Sequence, residues 1–103
     1  MREANVEAYF VAQVKAHGGE QRKLKWIGRR HGPDRFVKLP GIPVVLVELK
    51  RPGGALRPGQ EREIARLQAV GVDVFVIYTK EGVDDFMRRV LKWQGRNIQS
   101  GEL

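Results

Sequence analysis

The run "VVLVELKRPGG", Val44 to Gly54, starts as the middle of a buried strand and ends as something else. Val44, Val45, Leu46 and Val47 are apolar and mostly β-branched, which suits a pleated, covered surface. The same run then delivers a carboxylate and an ammonium two residues apart, Glu48 and Lys50, before Gly53 and Gly54 end it. Residues two apart in a strand share a face, so Glu48 and Lys50 stand in one row with Val44 and Leu46. Charges at the end of a covered strand call for a partner.

Upstream, "DRFVKL" (Asp34–Leu39) is a second strand-like run, and Pro40-Gly41 separates the two as a hairpin turn would. A three-residue connection of Pro40, Gly41 and Ile42 sets Asp34 directly opposite Glu48. Their Cβ atoms are then about 4.5 to 5.5 Å apart, where like charges repel unless a cation lies between them. Hard oxygen ligands suit Mg²⁺, with Mn²⁺ able to substitute. Lys50 is placed to orient an attacking water or to offset charge developing on a phosphate.

Outward from the hairpin, Val6, Phe10 and Val14 recur every fourth position in a helix from Glu3 to His17, stopped by Gly18-Gly19. "EQRKLKWI" (Glu20–Ile27) reads as a first strand and "GRRHGP" as the loop after it. Pro58 suits the first turn of a helix whose body, "QEREIARLQAV", should bury Ile64, Leu67 and Val70. "VDVFVIYT" is a strand with both faces covered, and "VDDFMRRVL" carries Val83, Phe86 and Val90 on one stripe of a last helix. The order α-β-β-β-α-β-α predicts an α/β fold with a mixed central sheet flanked by helices, the strand after the long helix lying parallel to Val44–Leu49. One domain over residues 1–92 is expected, followed by a tail, 93–103, that is frayed or lies at a dimer interface.

A chain of 103 residues, with 19 Lys and Arg against 12 Asp and Glu, carries a formal charge of +7. Such a balance favours a polyanion, because each neutralised phosphate releases counterions. There is no cysteine, which excludes disulfides and thiolate metal sites. No long apolar run is present and "MREANVEAYF" is charged where a signal peptide needs its apolar core, so a cytoplasmic protein with no membrane association is expected.

Taken together, "GPDRFVKLPGIPVVLVELKRPGGALRPGQ" resembles the PD-(D/E)xK restriction-endonuclease-like nuclease core, and more narrowly the VRR-NUC (virus-type replication-repair nuclease) family in its stand-alone phage form. The likeness runs from about Met1 to Thr79. It implies that Asp34 is the Asp of the family's "PD", that Glu48 and Lys50 are its "ExK", and that Gln60 opens the following helix. It further implies a metal held by Asp34, Glu48 and the backbone carbonyl of Leu49, joined by a glutamate of the first helix. Glu7 and Glu3, i and i+4 on one helical face, both fit that role, with Glu7 better embedded. The implied activity is Mg²⁺-dependent hydrolysis of phosphodiester bonds in DNA without a small-molecule cofactor. For the phage type it extends to homodimers acting on branched DNA such as Holliday junctions, within the cytoplasm of a bacterial host.

Arg29, Arg30, Arg35 and Lys38 flank this site as candidate phosphate contacts. Trp26 and Trp93 could stack on bases or sit in the core, and His31 reads as incidental. The dimer surface is expected on the last helix around Phe86 and Met87, on Trp93, and near Tyr9. Two other functions share these features: a non-catalytic DNA-binding module of the same fold, and a nicking or RNA-directed nuclease.

Overall fold

The computed structural model describes residues 3–94. Its elements follow the expected order: α1 (Glu3–Ala16), β1 (Glu20–Lys23), β2 (Arg35–Lys38), β3 (Val45–Leu49), α2 (Pro58–Ala69), β4 (Val74–Ile77) and α3 (Lys80–Leu91). The four strands form one sheet in chain order. β1 with β2 and β2 with β3 are antiparallel, and β3 with β4 is parallel, as the intervening helix α2 demands.

The hairpin turn determines the register. Gly41 holds a φ of +73°, a conformation that only glycine adopts without cost, and Ile42 N donates to Leu39 O at 3.2 Å. The ladder then pairs Val37 with Val45, Phe36 with Leu46 and Arg35 with Val47. One step further along the same ladder, Asp34 faces Glu48.

Alternation along β2 and β3 gives the sheet two unlike faces. Val37, Val45, Val47 and Leu49 join Val6, Phe10 and Val14 of α1 and Val83, Phe86, Met87 and Val90 of α3 in one apolar cluster. Phe86 anchors it, with Phe10 at 6.1 Å and Phe75 edge-on at 5.0 Å between ring centroids. Leu46 and Glu48 point the other way, toward α2. α1 ends where Gly18 turns left-handed, Gly19 N donating to Val14 O at 2.9 Å. Across the helix layer, Tyr9 Oη donates to Asp84 at 2.5 Å and ties α1 to α3.

Several expectations need correction. Phe86 and Met87, expected on a dimer surface, are core residues, because the helical stripe that carries them faces the sheet. β1 stops at Lys23 instead of reaching Ile27, since the chain turns away into a loop whose base is closed by Leu24 N donating to Asp34 O at 2.8 Å. β4 has only β3 beside it, and Phe75 and Val76 stay half-buried; the strand was expected to be covered on both faces. Val70, expected inside, is exposed at the C-cap of α2 while Ile64 is buried. Trp93 packs against Phe75 and Gln94 Nε2 donates to Pro40 O at 2.9 Å, whereas residues 95–103 of the expected tail lie outside the described residues. Among the described residues no helix is long and apolar enough to cross a membrane.

Phe10, fully buried beside the sheet, offers a test of this core. Phe10→Ala should lower the unfolding free energy by about 3–5 kcal/mol, read from urea denaturation at constant m-value.

Candidate active site

Four side chains converge where β2 begins and β3 ends, under the first turn of α2. Glu48 is only 6% exposed, roofed by α2 and flanked on β4 by Val76, its register partner. Asp34 approaches from β2, its Oδ1 accepting from Leu49 N at 3.3 Å. Lys50 Nζ lies 3.6 Å from Glu48 Oε2. Gln60 Nε2 donates to the same oxygen at 3.3 Å.

Gln60 has two roles. Its Oε1 accepts from Arg57 N at 2.9 Å, satisfying a backbone donor that the start of α2 would otherwise leave without an acceptor. With the oxygen so engaged, the amide nitrogen is turned toward Glu48. The capping interaction therefore fixes the orientation of a group at the carboxylate.

The electrostatics of Glu48 follow from this geometry. Burial disfavours its charged form, and the Asp34 carboxylate beside it adds repulsion; Lys50 opposes both, and the net result raises the Glu48 pKa from 4.5 to about 7. An acid with this proton affinity next to a second carboxylate is a site that gains from a positive charge. The Asp34 and Glu48 carboxylates are hard oxygen donors of the kind that could hold Mg²⁺ or Mn²⁺.

The third acid stands elsewhere. Glu7 forms an ion pair with Arg35, and Lys23 Nζ is 3.8 Å from the same oxygen. Arg35 alternates with Asp34 along β2, so this pair sits on the α1 face of the sheet while Glu48 faces α2. No group of three or more metal-ligating side chains occurs among the described residues. The side chain of Glu3, the alternative, lies outside them.

Arg35, expected at a phosphate, is 4% exposed and hydrogen-bonds Gln21 Oε1 at 2.7 Å. It is a buried structural cation, in phase with Val37 on the core face. Lys38 donates to Leu39 O at 2.7 Å, four residues down β2 from Asp34. Arg29 and Arg30 line an open cleft of about 450 Å³ with Gly28, His31, Glu63 and Arg66. Sequence reasoning passed over Glu63, which is 4% exposed and bridges Arg29 at 2.6 Å and Arg66 at 2.7 Å. Hydrogen bonds from Arg29 and then Arg66 hold its carboxyl at about 2, well below 4.5. Trp26 Nε1 donates to Pro33 O at 2.7 Å, and the His31 ring lies where a Cβ on Gly59 would meet it at 2.5 Å.

No protein-family model matches the sequence. The chain is, however, 41% identical over 81 residues to p44, a protein of Acyrthosiphon pisum secondary endosymbiont phage 1 named as a candidate nuclease; the match takes in 79% of this chain and 87% of that protein. A solved VRR_NUC domain superimposes with a TM-score of 0.77 at 34% identity, covering 84% of this chain and 94% of that one. The chain belongs to the VRR-NUC family. Both matches span nearly the whole of the relative, so the likeness extends over the sheet and its helices and is not confined to one motif.

Two tests follow for this VRR-NUC domain. Glu7→Gln leaves the buried Arg35 charge without its carboxylate and should cost about 2 kcal/mol, a value reduced because Glu7 is itself partly exposed. Combining it with Arg35→Met should recover most of that loss in a double-mutant cycle by urea denaturation. The second concerns pH. Because the folded-state pKa of Glu48 lies above 4.5, its contribution to stability is complete below that value and disappears as pH rises through about 7. In metal-free buffer Glu48→Gln should therefore match the wild type near pH 4.5 and exceed it by about 2–3 kcal/mol at pH 8. Equal stabilities at pH 8 would contradict the assigned environment of Glu48.

Proposed function

We propose that this VRR-NUC protein is a metal-dependent endonuclease that hydrolyses phosphodiester bonds in DNA. The observation that carries the reading is Asp34 beside Glu48 at the end of β3, with Lys50 3.6 Å from the Glu48 carboxylate, on a chain of net charge +7. Acids with no catalytic task are a liability on a surface meant to meet a polyanion. A divalent cation removes that liability.

The donor set fits Mg²⁺, which is commonly held by one or two carboxylates and completes its shell with water and substrate phosphate. Asp34, Glu48 and the Leu49 carbonyl would hold it. When bound, such an ion polarises a phosphoryl oxygen and makes a coordinated water more acidic.

The side chains supply the rest. Lys50 is positioned to orient a water and to balance negative charge growing on the phosphate. Gln60 keeps the Glu48 carboxylate in one rotamer, which preserves the ligand geometry from one turnover to the next. Arg29 and Arg30 offer backbone contacts that seat DNA without reading its bases. Mn²⁺ substitutes for Mg²⁺ on the same oxygen donors.

Branched DNA, Holliday junctions included, is the proposed substrate, cut by a homodimer. A twofold pair of sites matches the symmetry of a four-way junction and supplies its two cuts. With Phe86 and Met87 in the core, the interface falls to other surface. Light scattering over a dilution series should report a dimer in the concentration range where a four-way junction is cut.

The central test uses purified protein with linear, forked and four-way DNA. Cleavage should need Mg²⁺ or Mn²⁺ and stop with EDTA. Glu48→Gln and Asp34→Asn should each lower the rate by at least about 10²-fold while retaining DNA affinity, and Lys50→Ala by about 10²-fold. Cutting by Glu48→Gln at the wild-type rate would overturn the assignment.

A further inference from the structure

We propose that the loop from Leu24 to Asp34 is a DNA wedge whose apolar tip, Ile27, enters the base stack beside the cleavage site. This rests on the reading of the protein as a DNA nuclease and adds how the substrate is distorted.

Ile27 is 94% exposed, the most exposed of the large apolar side chains among the described residues, ahead of Val70 at 79% and Val44 at 42%. It sits within "KWIGRRHG", Lys25 to Gly32, whose charges are all positive. An apolar side chain isolated among cations gains nothing in water. It is suited to a partner that is anionic outside and apolar within, and a stacked duplex has that construction: phosphates at the rim, base faces inside. Isoleucine is among the residues that proteins insert between base steps, partly unstacking and kinking the helix.

A wedge must also be rigid, since a floppy tip would fold back before it parted two bases. This loop is braced from several sides. Leu24 N to Asp34 O, 2.8 Å, closes its base. Trp26 donates to Pro33 O at 2.7 Å and lies flush on Gly32, where a Cβ would come within 2.4 Å of the indole nitrogen. His31, held at a φ of +68°, presses its ring on Gly59 in the first turn of α2. Arg29 is bound to the buried Glu63 through Nη2 at 2.6 Å and Nε at 3.4 Å. With its neighbours tied down, Ile27 is left projecting, and Gly28 at a φ of +81° gives the chain its reversal behind it.

The loop also connects the tip to the chemistry. Its last residue is Asp34, so Ile27 and the acid pair are joined by seven residues of one braced segment. Arg29, Arg30 and Arg66 line the cleft at the foot of the loop and can take the adjoining phosphates. Unstacking costs least where stacking is already broken, so the device favours branch points and nicks over intact duplex.

The test separates distortion from cutting. The 103-residue Glu48→Gln protein, which should bind without cleaving, is mixed with a four-way junction carrying 2-aminopurine at the branch point. Fluorescence should rise about threefold as the base unstacks. Adding Ile27→Ser should abolish the rise while anisotropy keeps the affinity within about fivefold, because the phosphate contacts remain. Ile27→Leu, still apolar, should restore it. In the otherwise wild-type protein, Ile27→Ser should lower cutting of the junction by about tenfold more than cutting at a pre-opened bubble.

An unchanged 2-aminopurine signal in Ile27→Ser would overturn the wedge, even if the wild type cuts DNA. A shift of oligomeric state in Ile27→Ser with fluorescence unaltered would overturn it too, and assign Ile27 to a contact between chains. Fluorescence that depends on Ile27 in a protein that never cleaves would support the wedge while defeating the nuclease reading. No DNA binding at all would defeat both.

Discussion

One cross-strand pairing governs the site: Asp34 opposite Glu48. Two carboxylates so close repel, and a free hairpin would relieve them by slipping one residue. The apolar set on the other face forbids the slip. If β2 slipped, Val37 would leave the cluster beneath α1, and if β3 slipped, Val45 and Val47 would, each moving an apolar side chain out of the core. Burial on one face of the sheet therefore keeps the two acids together on the other, where the burial of Glu48 first, and then repulsion from Asp34, raise its proton affinity.

The same alternation sorts the charges along β2. Asp34 and Arg35 are neighbours in sequence yet serve opposite layers. Arg35 goes down to Glu7 and Gln21, and Asp34 goes up toward Glu48 and Leu49. Were both on one face, the guanidinium would offset part of the negative charge of the acid pair. Keeping the strongest available cation on the far side of the sheet leaves Lys50, a compact point charge on a mobile stem, as the positive group beside Glu48.

The hairpin, its register and the sharing of one face by Asp34, Glu48 and Lys50 were legible because they depend on local rules: a period of two and a three-residue connection. The burial of Arg35 was equally legible, being in phase with Val37, but its charge and its place beside the motif suggested a surface task. Phe86 and Met87 were misjudged in a similar way. Met87 follows Val83 by one helical turn, which places it on the stripe that packs against the sheet. Glu63 was a different case. No local pattern marks an acid in a helix as the buried partner of an arginine 34 residues earlier, because that pairing exists only once the loop has folded over α2. Gln60 lay between these cases: family likeness pointed to it, while its role as the acceptor at the start of α2 needed coordinates.

The two connections that flank β3 differ in what they must conserve. The turn from Leu39 to Pro43 measures out the register, so adding or removing one residue there turns Glu48 to the wrong side of the sheet. The segment from Arg51 to Arg57 measures nothing comparable, because α2 is located by what it grips at its far side: Glu48 through Gln60, and the 24–34 loop through Glu63 and Gly59. Length variation among relatives should therefore concentrate in the second connection and be absent from the first. The same asymmetry recommends the Arg51–Arg57 segment as the place to graft an extra element, such as a reporter tag or a targeting module, onto this domain.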